Sequence, residues 1–278
     1  MRDSPSASPA AASSLVLRSD AGGMATLTLN RPAQFNAISV AMLDALHSTL
    51  GVIAADPTVR VVVIAGAGPN FCAGHDLKEM LANSNEAFIG ALFRKCCEVM
   101  LAIAGIPQPV IARVHGIAAA AGCQLVAACD LAVAASDARF ATSGINYGLF
   151  CATPSVPVSR NISRKQAFEM VFTGEFIDAP TALSWGLINR VAAGPALDAE
   201  VLRLAQSLME KPPEVVAAGK AFFYSQLERS VADAYKIAAA HITDNMLGDA
   251  AQEGVAAFIQ KRTPDWRKAK PLTGKPDG

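Results

Sequence analysis

Strand-like alternation opens this chain. Leu15 to Arg18 and Met24 to Asn30 alternate apolar with polar positions, and Asp20-Ala21-Gly22-Gly23 between them supplies a hairpin turn. Behind Ser39, a capping residue, Met42, Leu43, Leu46 and Leu50 recur at helical spacing until Asp56-Pro57 stops the helix. Val59 to Ala65 is a β-branched run, the pattern of a strand covered on both faces. Helices are expected from about Asp76 and from Asn85 to Ala104, then strands over 109–114 and Leu131 to Ala135. From Arg164 onwards the pattern is mainly helical. Phe172 to Pro180 forms a turn and N-cap, Ala182 to Leu187 a short helix, and further helices lie near 197–210, 213–229, 231–246 and 249–261. Strands interleaved with helices, followed by helices alone, predict an α/β core at 15–200 and a helical region at 201–278. The apolar faces of that region exceed what one layer can hide, which predicts a subunit interface.

One stretch departs from this alternation of elements. His115 to Asp130 reads HGIAAAAGCQLVAACD, with only Ile117 larger than alanine between Gly116 and Gly122. Small residues let one backbone approach another. After Gly122 the pattern becomes helical and apolar, so a tight turn here would open a buried helix and leave its first N–H groups free for a ligand oxygen. The same run would also serve as a plain packing turn.

Composition narrows the function classes. The chain has 278 residues, 24 basic and 24 acidic, for a formal net charge of zero. That balance gives no reason to expect nucleic acid or an anionic membrane as partner. Hydrophobic content is 52 %, much of it alanine, and no apolar run reaches the roughly 20 residues of a bilayer span. The six cysteines lie in apolar segments without C-x-x-C spacing, as reduced core thiols do, so no metal is expected and the expected setting is cytoplasmic. The mitochondrial matrix is the alternative for a eukaryotic chain. Residues 1–14, rich in Ser, Pro and Ala, are read as a disordered tail. Gly66-Ala67-Gly68 follows a strand and invites a dinucleotide reading, but the third glycine would fall at Phe71 and Pro69 breaks the turn.

Other segments carry a resemblance. Phe71-Cys72-Ala73-Gly74-His75-Asp76-Leu77-Lys78-Glu79-Met80 resembles the first oxyanion loop of the crotonase (enoyl-CoA hydratase/isomerase) family, and His115 to Asp130 resembles the second. Phe172-Thr173-Gly174 with Ala182 to Leu187, and Glu253-Gly254 with Ala257-Phe258 and Lys261-Arg262, resemble two later family helices. The resemblance implies a spiral of ββα units and a C-terminal helical region that trimerises, with trimers pairing into hexamers. It implies an acyl-CoA thioester as ligand, coenzyme A entering only as part of the substrate, and nominal lyase activity. It places thioester-oxygen donors at the backbone amides of His75 and Ala121, and substrate or CoA contacts at Ala73, Gly74, Asp76 and Leu77. It also sets Phe258 and Lys261 beside the CoA nucleotide, in that subunit or a neighbouring one.

The resemblance also exposes a gap. The two glutamates of the family's hydratases fall on Gln124 and Gly144, an amide that cannot take a proton and a residue without a side chain. From Ala138 to Phe168 there is no Asp or Glu at all. A positioned acid or base contributes ~10²–10⁴ in rate, so hydration should be weak, and a binding role or a thioester hydrolase or decarboxylase becomes the alternative. His75 could titrate near neutral pH beside the proposed donors, Asp76 reads also as a helix cap, and Asp130 as a structural residue. Carboxylates restored at 124 and 144 should recover some hydration.

Overall fold

The computed structural model describes residues 14–266, so the expected tail at 1–14 falls almost wholly outside the described residues. The expected hairpin is β1 (Val16–Ala21) against β2 (Met24–Leu29), antiparallel with Val16 opposite Leu29. Helix α1 (Val40–Ala54) starts where Ser39 Oγ accepts from the Met42 N–H, and buries Met42, Leu43, Leu46 and Leu50 as the spacing predicts. Strand β3 (Val61–Gly66) follows, then α2 (Leu77–Ala82), α3 (Glu86–Gly105) and β4 (Val110–Val114).

Beyond β4 the chain builds two sheets at once. Strand β5 (Ile117–Ala119) leads into α4 (Ala121–Ala128), and β6 (Leu131–Ala135) with β7 (Arg139–Ala141) leads into α5 (Ala152–Asn161). β6 lies parallel to β4 in a six-stranded sheet of order β1-β2-β3-β4-β6, closed at its edge by a ninth strand. β7 lies parallel to β5 in a three-stranded sheet. Each ββα unit thus repeats its predecessor one strand spacing further on, about 4.8 Å. Helix α6 (Arg164–Thr173), β8 (Ile177–Asp178), α7 (Ala179–Trp185) and the edge strand β9 (Arg190–Ala192) complete the two sheets.

Period-two alternation in β3 divides the core. Val62 and Ile64 face α1, α3 and α4, while Val61 and Val63 join Ile111 and Val133 on the other face. There α8 (Leu197–Met209) covers them with Val201, Leu204 and Ala205. Helices α9 (Pro213–Leu227), α10 (Val231–Leu247) and α11 (Asp249–Ile259) follow, and α10 contains no buried residue although Val231, Tyr235 and Leu247 are each 74 % exposed.

Two expectations need correction, and one element lies where the sequence pattern gave no assignment. The run Gly116 to Gly122 is not a single turn: Ile117–Ala119 is a strand paired with β7, and the helix begins before Gly122, at Ala121. Alanines permit that close pairing, and their small size hid its strand character. The short helix expected at Ala182 to Leu187 spans Ala179–Trp185, capped by Asp178. Helix α5, with Pro154 and Pro157 among its residues, was not expected, because prolines read as helix breakers.

Candidate functional site

Strands β3 and β4 are parallel neighbours, with Val62 beside Val110 and Ile64 beside Ala112. The loops that follow them therefore leave the same edge of the sheet, the carboxyl edge where parallel sheets hold ligands. The two loops are laced through their backbones. Phe71 N–H donates to His115 O at 3.0 Å, Cys72 N–H to Ile117 O at 3.0 Å, and Ala119 N–H to Cys72 O at 2.9 Å. His115 adds a ring nitrogen 2.8 Å from Gly68 O, in keeping with a packing role. Asn70 Oδ1 accepts from Ile117 N–H at 3.0 Å.

A buried asparagine holds the first loop from below. Asn36 is fully buried, and its Nδ2 lies 2.8 Å from Ala67 O, 2.8 Å from Asn70 O and 3.1 Å from Phe71 O. The sequence pattern did not single out Asn36 or Asn70. The available signal was a polar loop at Asn30–Ala37 that ends in a residue tolerant of φ > 0, and Asn36 has φ 55°.

Gly122 decides how closely the loops meet. A Cβ there would stand 2.1 Å from Cys72 O, so only glycine lets the first turn of α4 rest on the first loop.

Two backbone N–H groups are left over at this junction. Ile38 pairs with the strand around His75, donating to Gly74 O at 2.7 Å and accepting from Asp76 N–H at 2.9 Å. The His75 N–H between them points to the other side and has no acceptor among the described residues. Ala121 is the first residue of α4, where an N–H has no intrahelical partner, and it too has no acceptor among the described residues. Ala120, which aims it, holds φ 49° and ψ −116° while its own N–H donates to Ala141 O at 2.9 Å. Gly74, at φ 106°, lies against the Ala120–Ala121 peptide: a Cβ on it would be 3.5 Å from Ala121 N. Free amides fixed in an apolar setting can stabilise charge that develops on a carbonyl oxygen, a contribution of ~10²–10³ in rate for each donor.

The side chains around the junction supply little proton chemistry. His75 packs its ring edge-on against Phe93 at 5.3 Å, and both ring nitrogens are buried without a hydrogen-bond partner. Burial holds its pKa below the usual histidine range; the nearby Ile38 carbonyl pulls more weakly the other way and is not aligned as a hydrogen bond. His75 is therefore a neutral, packed ring. Gln124, 2 % exposed, has Oε1 3.8 Å from the Cys96 thiol. Gly144 donates its N–H to Cys151 Sγ at 3.3 Å, and a Cβ on it would meet Leu149 O at 2.6 Å and that sulphur at 2.8 Å. The expected rescue by a carboxylate at 144 therefore meets a steric obstacle. Burial pushes the thiols of Cys72, Cys96 and Cys123 up to about 12, so each keeps its proton.

The remaining sequence candidates divide. Asp76 Oδ1 caps α2 through Lys78 and Glu79 N–H, and its Oδ2 pairs with Arg31 at 2.8 Å, so both oxygens are engaged in holding the loop. Ala73 and Leu77 lie exposed on either side of His75. Phe258, 85 % exposed, and Lys261, at φ 54°, stand at the end of α11. Asp130 is structural: it accepts from Val110 N–H, Lys220 and Tyr224. Among the described residues no three His, Cys, Asp or Glu side chains gather as a metal would require. A cavity of about 260 Å³ lined by Asp56, Arg60, Gln108 and Val216 lies at the amino ends of β3 and β4, away from both loops.

With this geometry in view, comparison with known proteins is specific. The family model described as Enoyl-CoA hydratase/isomerase matches residues 19–269. The chain is 45 % identical over 244 residues to mouse (Mus musculus) enoyl-CoA hydratase domain-containing protein 3, mitochondrial, covering 88 % of this chain and 81 % of that protein. The crystal structure of the human protein of the same name superimposes with a TM-score of 0.88 at 41 % identity, over 91 % of this chain and 100 % of that one. A crystal structure of enoyl-CoA hydratase from Mycobacterium smegmatis gives a TM-score of 0.89 at 55 % identity, over 91 % and 99 %. The expected resemblance to the crotonase family is thereby established, with enoyl-CoA hydratase domain-containing protein 3 among the proteins most similar to this chain: the chain belongs to the enoyl-CoA hydratase/isomerase family.

Proposed function

We propose that this protein binds acyl-CoA thioesters and polarises their carbonyl with the backbone N–H groups of His75 and Ala121, while hydrating enoyl-CoA poorly or not at all. The observation that carries this reading is the pair of unpartnered amides on two loops locked together at Gly122 and Cys72. Such fixed dipoles act on a developing oxyanion without reorganising. No cofactor beyond the CoA of the substrate is invoked. The absence of any carboxylate from Ala138 to Phe168, with Gln124 and Gly144 at the hydratase positions, favours a binding or non-hydratase role over efficient hydration.

A homotrimer, or a hexamer built from it, goes with the proposal. Helix α10 buries none of its residues within one chain, and Phe258 and Lys261 stand exposed where a CoA nucleotide, of this subunit or a neighbour, would find an apolar face and a cation. Six free thiols suit a reducing setting, the cytosol or the mitochondrial matrix, and the vertebrate relatives carry "mitochondrial" in their names. Among the described residues no helix is long and apolar enough to cross a membrane.

The test is crotonyl-CoA with purified protein, following binding by calorimetry and hydration by loss of the conjugated enoyl absorbance. Saturable binding with turnover at least ~10²-fold below ordinary enzyme rates supports the reading. Turnover in the ordinary range would show that another group replaces the glutamates, and absence of binding would remove the acyl-CoA assignment.

A further inference from the structure

Gln124 is not simply an inert replacement. It sits one turn into α4, three residues after Ala121, and helical side chains lean back toward the amino end. Its amide therefore reaches toward the junction that holds the free Ala121 N–H. The two ends of that amide have different fates. Oε1 takes the Cys96 thiol at 3.8 Å, whereas Nε2 has no acceptor among the described residues and is not sealed among the buried orphan atoms. A thiol that keeps its proton donates, so it pairs with the amide oxygen and turns the NH₂ away from itself. Phe93 and Cys96, three apart on α3, thus place one wall against both His75 and Gln124. The backbone of Gln124 lies about 4.5 Å along the helix axis from that of Ala121, and its side chain leans back across this gap as a further hydrogen-bond donor. An acceptor on C3 of an acyl chain lies a comparable few bonds from the thioester oxygen.

We propose that Gln124, oriented by Cys96, donates its side-chain NH₂ to an oxygen on C3 of the acyl group. The site then selects 3-oxo- and 3-hydroxyacyl-CoA thioesters over saturated or enoyl ones. This rests on the acyl-CoA reading above and adds to it a substrate class. Gln124 is the specificity-determining group and Cys96 its positioning residue.

The experiment compares acetoacetyl-CoA with butyryl-CoA, equal in chain length, by calorimetry on the full-length protein. Wild type is expected to bind acetoacetyl-CoA roughly 10-fold more tightly, the effect of one additional buried hydrogen bond. Gln124→Leu should bring the ratio to about one, and Gln124→Glu should reverse it, since a carboxylate cannot donate and repels the C3 oxygen. Cys96→Ala should reduce the preference and Cys96→Ser, still a donor, should keep it; a merely structural thiol would not move this ratio. Circular dichroism checks that each variant is folded, and the glutamate variant stands in if the leucine one is not. Equal binding of the two thioesters by wild type, or a preference that survives Gln124→Leu, overturns selection by Gln124 while the acyl-CoA reading stands. Failure of both thioesters to bind wild type overturns both.

Discussion

Lys220 Nζ lies 2.7 Å from Asp130 Oδ2, joining α9 to the residue that immediately precedes β6. The two side chains are only 7 % and 14 % exposed. The ammonium also donates to Ile103 O and Gln108 O, and the carboxylate accepts from Tyr224 and the Val110 N–H. All the polar atoms needed to keep both charges inside are therefore present. Removing one partner leaves the other charge buried and unpaired, which costs about 3–5 kcal/mol. Lys220→Met is expected to lower the urea midpoint accordingly, and the same loss should appear as detachment of the C-terminal helices by hydrogen exchange.

Ala120 stores strain at the mouth of the candidate site. Its φ of 49° with ψ of −116° is a region that residues with a Cβ seldom occupy, at a cost of about 1–3 kcal/mol. Glycine adopts it freely. Ala120→Gly is expected to raise the melting temperature by roughly 2–4 °C, equivalent to about 1 kcal/mol. A melting temperature unchanged or lowered would mean that Ala120's packing against Gly74 outweighs its strain.

The sequence carried the scaffold more fully than the site. Helical spacing behind Ser39, β-branched runs in the central strands and capping residues before α2 and α3 made those elements legible, because each is fixed by local propensity and burial on a known face. The strands β5 and β7 were not legible. Their alanines are set by how near two backbones must come, a long-range demand that leaves no period in the sequence. The same holds within the site. His75, Ala121, Gln124 and Gly144 became candidates through family resemblance, whereas Asn36 and Cys96 act through contacts 31 to 35 and 28 residues away in the chain. Asp76 was open to a cap or a ligand role, and its pairing with Arg31, 45 residues off, could not be read from either neighbourhood.

That pairing has a pH signature. Burial raises the Asp76 carboxyl, but the Arg31 guanidinium and the α2 cap outweigh it and hold the group below the ordinary Asp value of 3.8. As pH falls, the unfolded chain takes up this proton first, so the stabilisation is complete above the unfolded pKa and is lost as pH drops through the folded one. Asp76→Asn still caps α2 and loses chiefly the ion pair, about 1–2 kcal/mol at neutral pH. The gap between wild type and Asp76→Asn in chemical unfolding should therefore be widest near neutrality and close as pH falls through the folded-state pKa, which lies below 3.8. A gap independent of pH would assign the effect to packing instead.

Restoring the hydratase carboxylates should succeed at one position and fail at the other. Glutamate at 124 has the volume of the glutamine it replaces, and the Cys96 thiol can still donate to a carboxylate oxygen. At 144 the first side-chain carbon already lands 2.6 Å from the Leu149 carbonyl oxygen and 2.8 Å from Cys151 Sγ. The sulphur belongs to a short side chain that can be trimmed, but the carbonyl is backbone, so the Leu149–Cys151 segment itself would have to move. Overpacking of this kind costs about 1–3 kcal/mol. Gln124→Glu alone is expected to stay folded and to raise crotonyl-CoA hydration by up to ~10² through a single base. Gln124→Glu with Gly144→Glu should melt earlier and hydrate no faster, and adding Cys151→Ala should recover stability only in part. Faster hydration by the double variant would show that the Leu149–Cys151 segment yields to a side chain at 144.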